Sequence, residues 1–169
     1  MKRFFKGSFL LVMALFLFAA TGCGKNKLGD ETPEGQGDGY GQEYFTPEEQ
    51  AAKDRITDGI VYFAYDSYDL RADSKNVLSQ KAGIMKQYPQ LRVVIEGHCD
   101  ERGTEEYNLA LGERRARAAY EFMINLGVPA SQMEMVSFGK LHPRVMGGGE
   151  SSWAQNRRDE FKVTKTAQY

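Results

Sequence analysis

Cysteine is scarce in this chain: Cys23 and Cys99 are the only two among 169 residues. Two cysteines exclude a fold held together by several disulfides and a zinc site of four cysteines. Net charge is also small, because 22 basic residues nearly balance 23 acidic ones. A general nucleic-acid-binding protein needs an excess of basic residues to neutralise phosphates, so that class is excluded. The length is typical of one domain.

The first 22 residues differ from the rest of the chain. Three basic residues precede an unbroken apolar run of 12 residues, at positions 9–20. Such a run is too short for a membrane-spanning helix, which needs about 20 residues, and it is typical of a secretory signal. We therefore predict that residues 1–22 are a signal peptide of the lipoprotein type, cleaved before Cys23.

Cys23 is open to two interpretations. It is either a free cysteine after an ordinary signal or the lipidated cysteine of a bacterial lipobox, which residues 20–23 (ATGC) resemble. We favour lipidation, because the leader and the cysteine coincide and two or three acyl chains anchor a protein stably. The residue after Cys23 is Gly24 rather than Asp, which resembles the lipoproteins that Gram-negative bacteria sort to the outer membrane. We therefore expect an outer-membrane protein that faces the periplasm. Residues 23–57 include a glycine-rich segment at 35–41, and we expect a lipidated N-terminus followed by a flexible tether.

Residues 58–169 show the patterning of a folded domain. Strands are predicted at residues 60–65, 91–97, 133–138 and 160–164, where β-branched and aromatic residues concentrate or polarity alternates. A helix capped by Asp73 or Ser74 ends before Pro89, a second spans about 105–126, and a short one covers about 153–157. The order β-α-β-α-β-(α)-β predicts an α/β fold (an α+β sandwich) with helices packed on a mixed four-stranded sheet, in which the first two strands pair in parallel.

The densest polar stretch, residues 96–108, joins the second strand to the long helix. His98 and Cys99 suggest a nucleophilic enzyme, but neighbours in an extended segment point to opposite faces, so His98 is badly placed to activate Cys99. With His142 they do not form a recognisable zinc spacing. The acidic residues at 100–106 could supply paired carboxylates for hydrolysis, but acids before a helix more often interact with its dipole. We expect Cys99 to be a small buried residue and expect no metal, cofactor or catalytic activity.

Arg115 falls on the apolar stripe of the long helix, four residues after Leu111. A buried arginine needs a partner. Either its side chain extends to the edge of the core, or its guanidinium receives a carboxylate near the polar loop. With Asp100 in that loop, the pair could hold a zwitterion, with the ammonium at Asp100 and the carboxylate at Arg115.

Several motifs in the right order resemble one family, the peptidoglycan-associated lipoproteins (Pal) within the OmpA C-terminal-like proteins. The motifs are VYFAYDSYDL at 61–70, IEGHCDERGT at 95–104, EYN at 106–108, LGERRA at 111–116, VSFGK at 136–140 and NRR at 156–158. The resemblance covers about residues 58–165. Two positions depart from the family: Ala64 stands where many relatives have Asp, and Cys99 where most have Thr.

The resemblance implies a non-enzymatic domain that binds diaminopimelate in the peptide stem of peptidoglycan. The family's Asp and Arg fall on Asp100 and Arg115, its helix Asn on Asn108 and its polar residue after the first strand on Asp66. Arg102 and Leu111 are expected to be neighbours in the pocket. The resemblance also implies an outer-membrane lipoprotein of the Tol-Pal system, with TolB as a partner, acting in envelope integrity and cell division. The alternatives are a peptidoglycan hydrolase or other wall-acting enzyme, such as a cysteine-dependent one, and a motor-linked wall binder of the same fold. A further alternative is a domain with a purely structural role, in which the Asp–Arg pair no longer binds a ligand.

Overall fold

The computed structural model describes residues 44–165. Four helices and four strands are arranged along them, together with a short 3-10 helix at Ala130–Gln132. The helices are α1 (Pro47–Asp58), α2 (Ala72–Gln87), α3 (Glu105–Asn125) and α4 (Glu150–Asn156). The strands are β1 (Val61–Tyr62), β2 (Leu91–His98), β3 (Met133–Gly139) and β4 (Arg158–Lys165). None of the helices in this range is both long and apolar enough to cross a bilayer.

The strands form one sheet in the order β1-β4-β2-β3. β2 and β3 are parallel, and β4 runs antiparallel to both β1 and β2. The predicted mixed four-stranded α/β fold is therefore confirmed. The expected pairing of the first two strands is wrong, because the last strand returns between them and takes the hydrogen bonds on that side of β2.

One side of the sheet carries the core. Val93, Ile95, Phe161 and Val163 alternate inward from β2 and β4 and are all buried. Apolar residues of the helices complete the same cluster, among them Leu78, Met85, Ala116 and Met123. The residues between them on the strands point to the other side of the sheet, where Arg92, Lys162 and Thr164 are exposed.

The folded part begins earlier than the sequence predicted. α1 lies within residues 23–57, which we expected to be a tether, and its N-terminus carries a capping box in which Thr46 and Glu49 satisfy each other's backbone N–H groups. Ala52 and Ile56 are buried in the core cluster. The sequence did not predict this helix because it contains few apolar residues for its length.

Three smaller expectations also need correction. The first strand spans two residues rather than six, since only Val61 and Tyr62 pair with β4. Neither Asp73 nor Ser74 caps α2, which starts at Ala72 after Arg71 without a side-chain cap. The last helix begins at Glu150, before the position predicted for it.

Close contact between α3 and the sheet depends on glycine. A Cβ atom on Gly97 of β2 would lie 2.0 Å from the carbonyl oxygen of Gly112 in α3, and one on Gly112 would lie 2.3 Å from the Ser137 hydroxyl. The two backbones therefore approach more closely than any side chain permits. This contact fixes the first half of α3 beside the carboxyl end of β2.

Candidate functional site

A pocket of about 170 Å³ opens at the carboxyl end of β2. Three segments meet here because β4 lies beside β2 and β1 lies beside β4, so the start of β4 adjoins the ends of the other two strands. Every residue for which the sequence predicted a role in peptidoglycan binding lines the pocket: Asp66, Asp100, Arg102, Asn108, Leu111 and Arg115. Five further residues complete the lining: Tyr65, Cys99, Gly103, Tyr107 and Arg157.

Arg115 lies at the base of the pocket and is completely buried. Its guanidinium donates to the backbone carbonyls of Ser67 (2.8 Å), His98 (2.9 Å) and Ala64 (3.2 Å). It therefore joins the loop after β1 to the end of β2. The alternative in which the side chain reaches the edge of the core is wrong, and the desolvation of the charge lowers the pKa of Arg115.

The partners of Arg115 are carbonyls rather than a carboxylate. Within residues 44–165 no carboxylate oxygen lies within 4.0 Å of its guanidinium nitrogens, although the buried Asp159 interacts with it electrostatically. A guanidinium has five N–H donors. The three carbonyls and a contact from Nη1 to the Cys99 sulfur (3.4 Å) occupy four of them, which leaves one N–H of Nη2.

Asp100 is buried on the wall of the pocket and is held by two arginines. Its Oδ1 accepts from the backbone N–H and Nε of Arg102, both at 3.1 Å. Its Oδ2 accepts from Arg102 Nη2 (2.6 Å) and from Arg157 Nη1 (3.2 Å). Although burial opposes ionisation, these hydrogen bonds outweigh it and lower the pKa of Asp100. The carboxylate is therefore charged at neutral pH, with all four acceptor positions in use.

The Arg102 side chain closes one side of the pocket. Its guanidinium lies 4.0 Å from the ring centroids of both Tyr65 and Trp153, between the two aromatic faces. The Trp153 indole N–H donates to Glu101 (2.9 Å). About 29% of the Arg102 side chain is exposed, against 5% for Arg157. Of the two arginines on Asp100, Arg102 is therefore the one that can move without opening the core.

Asp66 lies at the rim with an unusual backbone. Its φ of 52° is the only positive value at a non-glycine residue within residues 44–165, and aspartate tolerates this region better than most residues. The Tyr107 hydroxyl, from the first turn of α3, donates to the Asp66 carboxylate. This bond holds a second negative charge at the entrance.

Asn108 and Leu111 extend the floor of the pocket from α3. The Asn108 amide donates to the carbonyls of Arg102 (2.8 Å) and Thr104 (3.0 Å) and so fixes the loop that carries Asp100. Leu111 is buried and supplies an apolar wall. Asn108 therefore shapes the site by fixing the backbone of the loop at residues 102–104, and this loop carries the Arg102 side chain.

Cys99 is a buried thiol, as expected. Its sulfur donates to the carbonyl of Asn108 (3.3 Å), and burial raises its pKa to about 11. The His98 ring lies away from it, stacked on Phe138 at 5.5 Å. A thiol that stays protonated and has no adjacent base is not an activated nucleophile.

The sequence assigned no role to four side chains that shape the site: Tyr65, Tyr107, Trp153 and Arg157. Arg157 bonds Asp100 and Glu150 and stands 57 positions after Asp100 along the chain. The NRR motif at 156–158 indicates the family but does not predict a contact for Arg157. The stacking of Arg102 between Tyr65 and Trp153 also leaves no local pattern in the sequence, because the three residues come from three separate segments.

Three arginines and two aspartates line the pocket, so positive charge is in slight excess. The arrangement suits a small ligand with at least one carboxylate and an ammonium group.

Cys23 and the leader lie outside the described residues.

Comparison with known proteins identifies the family. A family model described as the OmpA family matches residues 62–157. The chain belongs to the OmpA family. It is 44% identical to the peptidoglycan-associated lipoprotein of Pseudomonas aeruginosa over 160 residues, which cover 89% of this chain and 93% of that protein. It is 39% identical to the peptidoglycan-associated lipoprotein of Brucella melitensis, over 88% of each chain.

Solved structures agree with this assignment. The crystal structure of the peptidoglycan-associated lipoprotein from Burkholderia pseudomallei matches with a TM-score of 0.63 and 44% identity, over 65% of this chain and 93% of that one. The C-terminal domain of Helicobacter pylori MotB shares the fold at 19% identity, with a TM-score of 0.59, over 63% of this chain and 84% of that one. The resemblance inferred from the motifs is thus confirmed.

Proposed function

We propose that this protein is a non-enzymatic outer-membrane lipoprotein that binds the peptide stem of peptidoglycan and so tethers the membrane to the cell wall. Relatives that match nearly the whole chain are named peptidoglycan-associated lipoproteins. The observation that carries the proposal is the pocket at the end of β2, where Asp66, Asp100 and Arg115 lie together as the family motifs imply. By family analogy the protein works within the Tol-Pal system, with TolB as its partner.

In this proposal the ligand is the zwitterionic end of diaminopimelate. Its ammonium approaches Asp100, and its carboxylate approaches the arginines, where Arg115 retains one N–H and Arg102 can turn outward. Because Arg102 occupies three of the four acceptor positions of Asp100, the ammonium must replace at least part of that ion pair. Binding is therefore an exchange of partners rather than occupation of a free carboxylate.

The anchor is part of the same proposal. Cys23 carries the acyl chains after removal of residues 1–22, and the protein faces the periplasm. Since α1 begins at Pro47, the tether of the proposal is shorter than first expected and ends near residue 46. Cys23→Ser should abolish fractionation with membranes and leave wall binding unchanged. A variant that still fractionates with membranes would refute the lipid anchor.

The wall-binding proposal is tested by sedimentation of the full chain, purified in detergent, with isolated sacculi. Asp100→Asn keeps the size of the side chain and removes its charge, so it should reduce the sedimented fraction to the level without sacculi. Asp54→Asn makes the same chemical change at an exposed position on α1 and should bind like the original protein. Full binding by Asp100→Asn would contradict the assignment. Release of soluble fragments from the sacculi would instead support the hydrolase alternative.

A further inference from the structure

A second group of polar side chains lies on the side of the sheet away from the core. Glu96 of β2 and Glu160 of β4 are directly opposite each other in the antiparallel register, and His98 follows two positions after Glu96 on the same side. The three face a shallow cavity of about 490 Å³, whose lining also includes Phe138, His142 and Arg158. None of these residues lines the pocket that we assign to the cell wall.

His98 is unusual among them because its ring has no hydrogen-bond partner. The residue is 2% exposed, and neither ring nitrogen makes a hydrogen bond within residues 44–165. A buried polar group without a partner costs free energy, so such a group calls for an explanation. The ring stacks on Phe138, which fixes its plane.

The free nitrogen points toward carboxylates. His98 Nε2 lies 3.9 Å from Glu96 Oε2, beyond hydrogen-bond distance, and one ligand atom from each of Glu96, His98 and Glu160 lies within 4.8 Å of the other two. Ligands around tetrahedral zinc lie about 3.3 Å apart, given zinc–nitrogen and zinc–oxygen bonds of about 2.0–2.2 Å. Zinc binding therefore requires the two glutamate side chains to rotate so that their oxygens move closer to His98 Nε2.

We propose that Glu96, His98 and Glu160 form a binding site for a divalent transition-metal ion, with Zn²⁺ as the best match. One imidazole and two carboxylates suit zinc, and three protein ligands leave a fourth position open to water. The cavity is open enough to admit that water.

Positive side chains beside Glu160 oppose the binding of a cation at this site. Arg158 Nε donates to Glu160 Oε1 (2.6 Å) and Lys162 Nζ donates to Oε2 (3.1 Å). Both positive side chains repel a cation and compete with it for the carboxylate oxygens. Lys162 is half exposed and can turn away, whereas Arg158 is buried and stays. Arg144 Nη1 also lies 3.9 Å from Glu160 Oε1, and its side chain is 43% exposed, so it can turn away as Lys162 can. The two glutamates then face one fixed positive charge, that of Arg158.

The test uses the two histidines of the chain, His98 and His142, as reporters. The full chain, purified in detergent without a histidine tag and freed of metal, is titrated with Zn²⁺ while the ring signals of both histidines are followed by NMR. His142→Ala identifies which signal belongs to which residue. We expect the His98 signal to change at one equivalent of Zn²⁺. No change at His98, or a change at His142 alone, would overturn the proposal.

Variants then test the carboxylates by calorimetry. Glu96→Gln keeps the shape of the side chain and should weaken Zn²⁺ binding by at least about tenfold, as loss of metal-site groups commonly does. Glu134→Gln is the matched control, an exposed glutamate next to Val94 on the same side of the sheet. Equal affinity of Glu96→Gln and Glu134→Gln for Zn²⁺ would refute the site. This comparison needs no substitution of the buried His98. Wall binding should be the same in Glu96→Gln as in the original protein, so this result and that of the sacculus experiment are independent.

Discussion

Replacing Arg115 with alanine should destabilise the fold as well as the pocket. The side chain is completely buried and is the hydrogen-bond donor to three backbone carbonyls from two segments. In Arg115→Ala those carbonyls lose their partner together; the hydrogen bond to His98 is buried, and those to Ala64 and Ser67 are part-buried.

The size of the effect follows from those three bonds. A buried group that loses its hydrogen-bond partner costs about 1–3 kcal/mol, so three fully buried groups would cost about 3–9 kcal/mol, and two of the three here are only part-buried. Water entering the space left by the side chain satisfies part of the loss, and removal of a desolvated charge returns some free energy. We therefore expect the lower part of the range, about 3–5 kcal/mol, which is a large share of the ~5–15 kcal/mol by which domains are stable.

The measurement is urea unfolding of the full chain, followed by the fluorescence of Trp153, its one tryptophan. Arg115→Lys keeps the charge but lacks the planar fork, and it should recover only part of the stability. Arg114→Ala removes the neighbouring arginine, which is exposed, donates to the Ala110 carbonyl of its own helix and lies 5.8 Å from the Tyr68 ring centroid. It should change stability by less than about 0.5 kcal/mol. A loss below about 1 kcal/mol in Arg115→Ala would refute the reasoning.

Three further predictions concern the fold. Gly97→Ala should cost about 1–3 kcal/mol or more in urea unfolding, because its Cβ would collide with the Gly112 carbonyl oxygen; an unchanged midpoint would mean that α3 moves freely. Ile56→Ala should cost about 2–5 kcal/mol while Arg55→Ala is nearly neutral, which separates a packed α1 from a tether. Burial raises the pKa of Asp159 well above 3.8, so folding favours its protonated form and its charge costs stability once the pH exceeds 3.8. Asp159→Asn should therefore stabilise the protein at pH 7 and have little effect near pH 3; equal effects at both would contradict this.

Local patterns predicted much of the fold, and the failures share one cause. β2, α3 and β3 were located to within a residue or two, because each has a strong periodicity and clear boundary residues. The pairing of β1 was wrong because the sequence of a strand does not record which strand lies beside it. α1 was missed because its burial depends on contact with a distant part of the chain, where Lys165 of β4 bonds Glu49.

In the pocket too, the sequence predicts what a local pattern records and does not predict contacts between distant segments. Arg115 could be singled out from the wheel of α3 because a charge on an apolar stripe is visible locally. Its partners could not be predicted, since carbonyls have no signature in the sequence. Arg157 reaches Asp100 only because β4 lies next to β2, which again depends on the sheet order.

The ion pair between Arg102 and Asp100 gives the proposed site a means of selecting its ligand. A ligand with only an ammonium group must break the bonds of Arg102 to Asp100 and leaves that guanidinium with no carboxylate in return. A ligand with only a carboxylate finds Asp100 already neutralised but meets a second negative charge at Asp66. A zwitterion supplies an ammonium to Asp100 and a carboxylate to the displaced Arg102, so no charge is left without a partner. Arg102 is 29% exposed, so water offsets part of the loss of its partner. The added pair between Arg102 and the ligand carboxylate is therefore what favours a zwitterion over either simple ion.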